Sequence, residues 1–122
     1  MNQTNISVEQ AAKLCASIAD EKKASDILVL DIKEVFSIAD YFVICTCASK
    51  PQVRAVASEI DKKLKEAGFR HLGVEGKEDA SWMLVDFGVI VVHIFLPETR
   101  EFYQVEMLWG DARRLDWAKA AS

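Results

Sequence analysis

Two apolar runs separated by a lone glycine constrain this chain more than anything else in it. Within residues 80–111, ASWMLVDFGVIVVHIFLPETREFYQVEMLWGD, the runs Trp82–Phe87 and Val89–Leu96 flank Gly88. Their length and β-branched content read as strands, and a two-residue tip at Phe87–Gly88 makes them a hairpin. Side chains then alternate between two faces. Met83, Val85, Phe87, Ile90, Val92, Ile94 and Leu96 fall on one face, all apolar. Trp82, Leu84, Asp86, Val89, Val91, His93 and Phe95 fall on the other, large apolar groups mixed with one acid and one imidazole. Such a face is too polar for an ordinary core and too apolar for an ordinary solvated surface. It reads as a docking face.

Upstream, Ser7-Val8-Glu9-Gln10 is a capping box with Ile6 placed to staple against Ala11. Val8, Ala11, Ala12, Cys15, Ile18 and Ala19 follow at helical spacing. Ser25–Asp31 contains four consecutive apolar residues, Ile27 to Leu30, which predicts a strand covered on both sides. Lys33–Ala39 is a polar connection, and Tyr41–Cys47 is a second buried strand. Ser49-Lys50-Pro51-Gln52 is a second capping box with a Pro inside the first turn, starting a helix whose stripe of Val53, Val56, Ala57, Ile60, Leu64 and Ala67 stops at Gly68. Phe69–Gly76 reads as irregular, with Gly73-Val74-Glu75-Gly76 as a turn, and Lys77–Ala80 as a charged loop. Pro97 opens a short helix ended by Gly110. Residues 1–110 therefore read as a single domain, and 111–122 as a short C-terminal tail, flexible or a loose helix. The order predicts an α/β (α+β) fold, a mixed β-sheet flanked by helices. If the strands bounding Tyr41–Phe87 are parallel, their crossover is right-handed.

Composition excludes several classes. At 122 residues, with 51% hydrophobic and 28% charged side chains, the chain suits one globular domain rather than a disordered one. No apolar run approaches the ~20 residues needed to span a bilayer, so no membrane association is expected. The first ten residues, MNQTNISVEQ, lack the patterns of secretory and organelle leaders, which makes a cytoplasmic location the expectation. A net charge of −4, with basic residues mostly interleaved with acids, argues against more than a little direct nucleic-acid binding. A protein partner suits this balance better.

Chemistry is sparse. Cys15, Cys45 and Cys47 are odd in number, and a Cys-x-Cys pair needs two more ligands to hold a metal. Neither His71 nor His93 has matching spacing, so all three cysteines are expected to be reduced, small buried hydrophobes without metal. Asp86 and His93 share a hairpin face, but the Phe87–Gly88 tip sets His93 opposite Trp82 and Asp86 opposite Val89. That separates them by two pair steps and provides no nucleophile beside them. A turn-capping acid and a structural imidazole compete there with a partner contact. Gly73–Gly76 lacks the Lys and Ser or Thr of a phosphate loop. Tyr103, Leu108 and Trp109, on the short terminal helix, either plug a core or extend the docking face.

The segments DYFVICTCAS, GVEG, WMLVDFGVIVVHIF and REFYQVEMLWGDA strongly resemble the ribosomal silencing factor family, also called the Iojap-like proteins, and the likeness covers nearly the whole chain. The resemblance implies a nucleotidyltransferase-like topology without that superfamily's catalytic residues. It implies no cofactor, and a partner in the large ribosomal subunit, met through its fourteenth numbered protein. Binding there hinders joining of the small subunit and represses translation under nutrient limitation. The family's Trp-x-x-x-Asp-x-Gly, then Val-x-His-x-Phe, falls on Trp82, Asp86, Gly88, Val91, His93 and Phe95, all but the glycine on the mixed face. Val89 stands where the family usually has Asp, and Cys47 where it usually has Gly. The expected partner-binding residues are Trp82, Leu84, Asp86, Val91, His93, Phe95, Tyr103, Leu108 and Trp109, with no catalytic or metal-binding residue. Two alternatives compete with this non-enzymatic reading. One is a homodimeric adaptor that pairs the Trp82 face with itself. The other is a nucleotidyltransferase-like enzyme, disfavoured by the lack of a nucleophile or carboxylate cluster.

Overall fold

Ser7 opens the first helix, α1 (Val8–Glu21), as its sequence predicts. Its hydroxyl accepts from the Gln10 amide over 3.1 Å, and Gln10 Oε1 accepts from the Ser7 amide over 2.9 Å. The reciprocal pair satisfies donors that the first turn leaves unmade. Ala11, Ala12, Cys15, Ala16, Ile18 and Ala19 form the buried stripe. The computed structural model describes residues 6–35, 37–103, 110 and 112–120, side chains excepted at 102, 103, 119 and 120.

Helix α2 (Lys50–Glu66) begins at Ser49, whose hydroxyl accepts from the Gln52 amide over 3.3 Å. Here the box is offset by one residue: Gln52 Oε1 accepts from the Ala48 amide, at 2.6 Å, rather than from Ser49. Val53, Val56, Ala57, Ile60 and Leu64 are buried, and Gly68 follows the Ala67 cap at φ +99°. Glycine reaches that left-handed conformation without a Cβ penalty.

Six strands make one mixed sheet: β1 (Ser25–Asp31), β2 (Tyr41–Thr46), β3 (Gly73–Glu75), β4 (Trp82–Asp86), β5 (Ile90–Phe95) and β6 (Arg113–Leu115), in the order β3-β4-β5-β2-β1-β6. Among the described residues, only β2 and β5 pair in parallel. The parallel crossover that leaves β2 therefore closes on β5 rather than on β4, which runs against both. Every residue of β2 is buried. Tyr41, Val43 and Cys45 enter the main core under α1 and α2, while Phe42 and Ile44 enter a smaller cluster on the opposite side with Leu30, Ile32 and Phe95. Two covered faces explain why the strand shows no polar alternation.

Two segments differ from the sequence expectation, and a third lies partly outside the described residues. Gly73–Glu75, read as a turn, is an edge strand antiparallel to β4, and the turn follows it, opened by Gly76 at φ +84°. Three residues are too few for a period-two signal, so the pairing partner decides. In the segment after Asp111, read as flexible or a loose helix, Arg113–Leu115 is instead a strand paired with Val29–Asp31, and helix α4 (Trp117–Ala120) follows it. Arg113 Nη2 lies 2.8 Å from Asp31 Oδ2, and Trp117 Nε1 donates to the Ile27 carbonyl over 3.3 Å. These partners lie 82 and 90 positions apart in sequence, beyond the reach of local patterning. Finally, helix α3 (Pro97–Tyr103) starts at its proline as predicted, but Leu108, Trp109 and the Tyr103 side chain lie outside the described residues. No helix among the described residues is long and apolar enough to cross a membrane.

Candidate interaction site on the β4–β5 hairpin

Gly88 and Val89, not Phe87 and Gly88, form the hairpin tip. Phe87 N donates to the Ile90 carbonyl over 2.8 Å, and Gly88 sits at φ +85°. Only glycine meets that demand cheaply at the first position of a two-residue loop. Trp82 therefore faces Phe95, Leu84 faces His93, and Asp86 faces Val91. The register moves by a whole pair step. An even shift preserves parity, so the division of side chains between faces stands as the alternation predicts.

The mixed face is layered rather than uniformly exposed. Phe95 is fully buried and His93 is 5% exposed, whereas Trp82, Leu84, Asp86 and Val91 are half-buried. The alternation, with Asp86 and His93 on this face, predicts that Trp82, Leu84, Val91 and Phe95 all stay partly exposed; that is corrected for Phe95, which with His93 forms the floor of the face. The Trp82 and Phe95 rings pack at 4.9 Å between centroids, and Phe42 meets His93 edge-on at 5.0 Å. Trp82 Nε1 donates to His93 Nδ1 over 3.3 Å. Burial pushes the His93 imidazole down to about 4, so it is neutral at physiological pH.

Two residues from loops complete the surface. Ile38 is 70% and Leu72 75% exposed, and they line a shallow concavity with Phe42, Leu84, Val91 and His93. Glu75 and Asp86 supply its charge. Leu72 is placed by its amide, which donates to the Asp86 carbonyl over 2.6 Å. Sequence reasoning passed over both residues because they stand in segments read as polar connection and loop. Their one signal was being lone large aliphatics in otherwise polar surroundings, which many surface positions share.

The geometry separates Asp86 from His93 chemically. Asp86 Oδ1 accepts from the Gly88 amide over 2.7 Å, which commits the carboxylate to the turn. His93 faces Leu84 across the hairpin and accepts from an indole. The arrangement orients side chains; it does not activate a nucleophile. The three cysteines are free and buried, and burial pushes the Cys15 thiol up, out of the range of easy ionisation. Among the described residues, no group of three His, Cys, Asp or Glu side chains is placed to hold a metal ion.

What the face gathers can be compared with known proteins. The family described as "Ribosomal silencing factor during starvation" matches residues 5–122. Ribosomal silencing factor RsfS of Bacillus subtilis is 43% identical over 116 residues, covering 95% of this chain and 94% of that protein. Its namesake from Halalkalibacterium halodurans is 40% identical over 107 residues, covering 88% and 92%. A crystal structure of a Chromobacterium violaceum protein superposes with a TM-score of 0.82 at 38% identity, covering 86% of this chain and 88% of that one. This chain belongs to the ribosomal silencing factor family.

Proposed function

We propose that this chain represses translation without bond chemistry, by seating the mixed hairpin face on the large ribosomal subunit at its fourteenth protein and so blocking small-subunit joining. The family membership supports the class of activity. The observation that carries the site is the exposed pair Ile38 and Leu72 beside half-buried Leu84 and Val91, on the hairpin face that also bears half-buried Trp82. Large aliphatics at 70% and 75% exposure around a rigid aromatic floor are unfavourable in water and favourable in a protein interface. His93 and Phe95 hold that floor in shape; Asp86 fixes the hairpin tip. Tyr103, Leu108 and Trp109 are further partner-binding residues in this reading. A standard interface covers about 800 Å² per partner, which several such side chains can approach. The setting is the cytoplasm, and the partner contact is protein rather than RNA, consistent with a net charge of −4.

The test is co-sedimentation of the purified protein with large subunits, followed by a subunit-joining assay. Binding that slows joining is expected. A protein that forms stable homodimers through Trp82 and binds no large subunit would replace this reading with the adaptor one.

A further inference from the structure

We propose that a second site, on the opposite side of β4 from the docking face, binds a small amphipathic anion. The site is a cavity of about 320 Å³ between α2 and the β3–β4 strands. It exists because the sheet extends past the helix that covers it: β3 and β4 stand at the sheet edge, and α2 packs against β4 there. Ala57, Val74, Met83 and Val85 form its apolar wall, the last three from the two strands. The mouth is different in kind, with Arg54, Lys77, His71 and Asp61.

The polar groups at the mouth are oriented before any ligand arrives. Arg54 Nε donates to the Lys77 carbonyl over 3.1 Å, and Nη2 to the Glu78 carbonyl over 2.8 Å, which fixes both the guanidinium and the loop that carries Lys77. Asp61 Oδ1 lies 2.7 Å from His71 Nδ1, so the imidazole presents its other nitrogen away from the carboxylate. Two basic side chains, Arg54 and Lys77, thus share the lining with one carboxylate already engaged by a ring. In a chain of net charge −4 this is a local reversal of sign. A cationic rim above an apolar wall selects a ligand with both characters: one or two rings, or a short acyl chain, carrying a single phosphate, sulfonate or carboxylate. The volume lies near the lower end of ligand pockets, which excludes larger cofactors. None of these residues belongs to the docking face, so this site stands or falls separately from the ribosomal reading.

The probe is anilinonaphthalene sulfonate, an aromatic anion, titrated into the full chain and followed by amide chemical shifts. Phenylnaphthylamine, the same body without the sulfonate, is the control. Saturable binding is expected to shift the amides of Ala57, Ser58, Val74 and Lys77, with the neutral control at least about tenfold weaker. Lys77→Gln, an exposed loop change that leaves the packing alone, should weaken the anion about fivefold and leave the control unchanged. Val74→Phe, which fills the cavity from the edge strand, should abolish both. Three outcomes would overturn the site: no saturable binding, equal affinity for anion and neutral control, or shifts confined to Leu84, Val91 and their neighbours on the docking face.

Discussion

Trp82 and His93, both on the mixed face of the hairpin, are joined by a hydrogen bond from the indole Nε1 to the imidazole Nδ1 at 3.3 Å. The bond fixes the tautomer, because Nδ1 can accept only while it carries no proton. It also fixes the indole, whose ring packs against Phe95 at 4.9 Å. Half-buried Trp82, on the proposed docking face, is therefore held by a buried floor that must stay neutral. Protonating His93 would set a second donor against the indole N–H.

Acid should weaken the fold through this residue. The folded imidazole titrates at about 4, depressed by burial from an ordinary 6.5. Between those values the unfolded chain binds a proton that the native protein does not, so stability is fully present above about pH 6.5 and declines as pH falls toward 4. The shift corresponds to about 3 kcal/mol. Urea denaturation of wild type and His93→Asn at pH 7 and pH 5 checks this: the variant should be less stable at pH 7 but lose less on acidification. Parallel losses in both proteins would remove His93 from the account.

Arg100 should be worth more to stability than any surface ion pair in the chain. It is buried, and Nη1 donates to the Asp26 carbonyl over 2.8 Å and to Thr46 Oγ1 over 2.7 Å, which ties α3 to β1 and β2. Truncating it leaves buried acceptors without this donor, so Arg100→Met should cost about 2–4 kcal/mol. Thr46→Val, which removes one acceptor and keeps the shape, should cost about 1–2 kcal/mol. Thermal unfolding of both single variants and the double should show the second change costing less when the first is present. Strict additivity would mean that the 2.7 Å contact contributes nothing in solution.

Two glycines with nearly the same φ, +84° at Gly76 and +85° at Gly88, should respond differently to alanine. At Gly76 an added Cβ would lie 2.1 Å from the Trp82 carbonyl oxygen, so backbone must move. At Gly88 the nearest atom is the flexible end of Leu72, 3.2 Å away. Gly88→Ala should cost about 1–2 kcal/mol for the left-handed conformation, whereas Gly76→Ala should cost at least about 3 kcal/mol and displace β4. Denaturation midpoints decide between them, and equal costs would mean that the crowding at Gly76 relaxes freely.

The legibility of these features in the sequence follows the range of the forces that make them. Ser7 and Gln10 are three positions apart, and their reciprocal bonds are visible in four letters. The division of the hairpin into two faces needs only period two, so it survives even a misplaced tip. The tip itself depends on which glycine neighbour takes the loop, a choice settled by the conformation at Gly88. Burial of Phe95 and His93 was not legible, because the cover over the second cluster comes from Leu30, Ile32 and Phe42, far off in sequence. Strand β6 escaped for the same reason: Arg113 and Trp117 find their partners only after the sheet exists. Ile38 and Leu72 became part of a site only when the fold set both beside Leu84 and Val91.

That last juxtaposition provides the cleaner test of the docking face. Trp82→Ala is ambiguous, since it removes the hydrogen bond to His93 and opens a gap against Phe95, at a stability cost of about 2–4 kcal/mol. Ile38 and Leu72 are 70% and 75% exposed, and replacing either with Asp should change stability by less than about 0.5 kcal/mol. Each substitution places a carboxylate where the proposed interface excludes water, in a concavity already carrying Glu75 and Asp86. Burying an unpaired charge there is costly to binding and costless to the free protein. Ile38→Asp and Leu72→Asp should therefore each weaken binding to large subunits by tenfold or more, about 1.4 kcal/mol or above, with unchanged melting. Lys13→Asp, at a partly exposed position on α1, is the charge control and should bind nearly as wild type does. Wild-type affinity in both hairpin-side variants, in proteins that melt normally, would move the ribosome-binding surface away from this face.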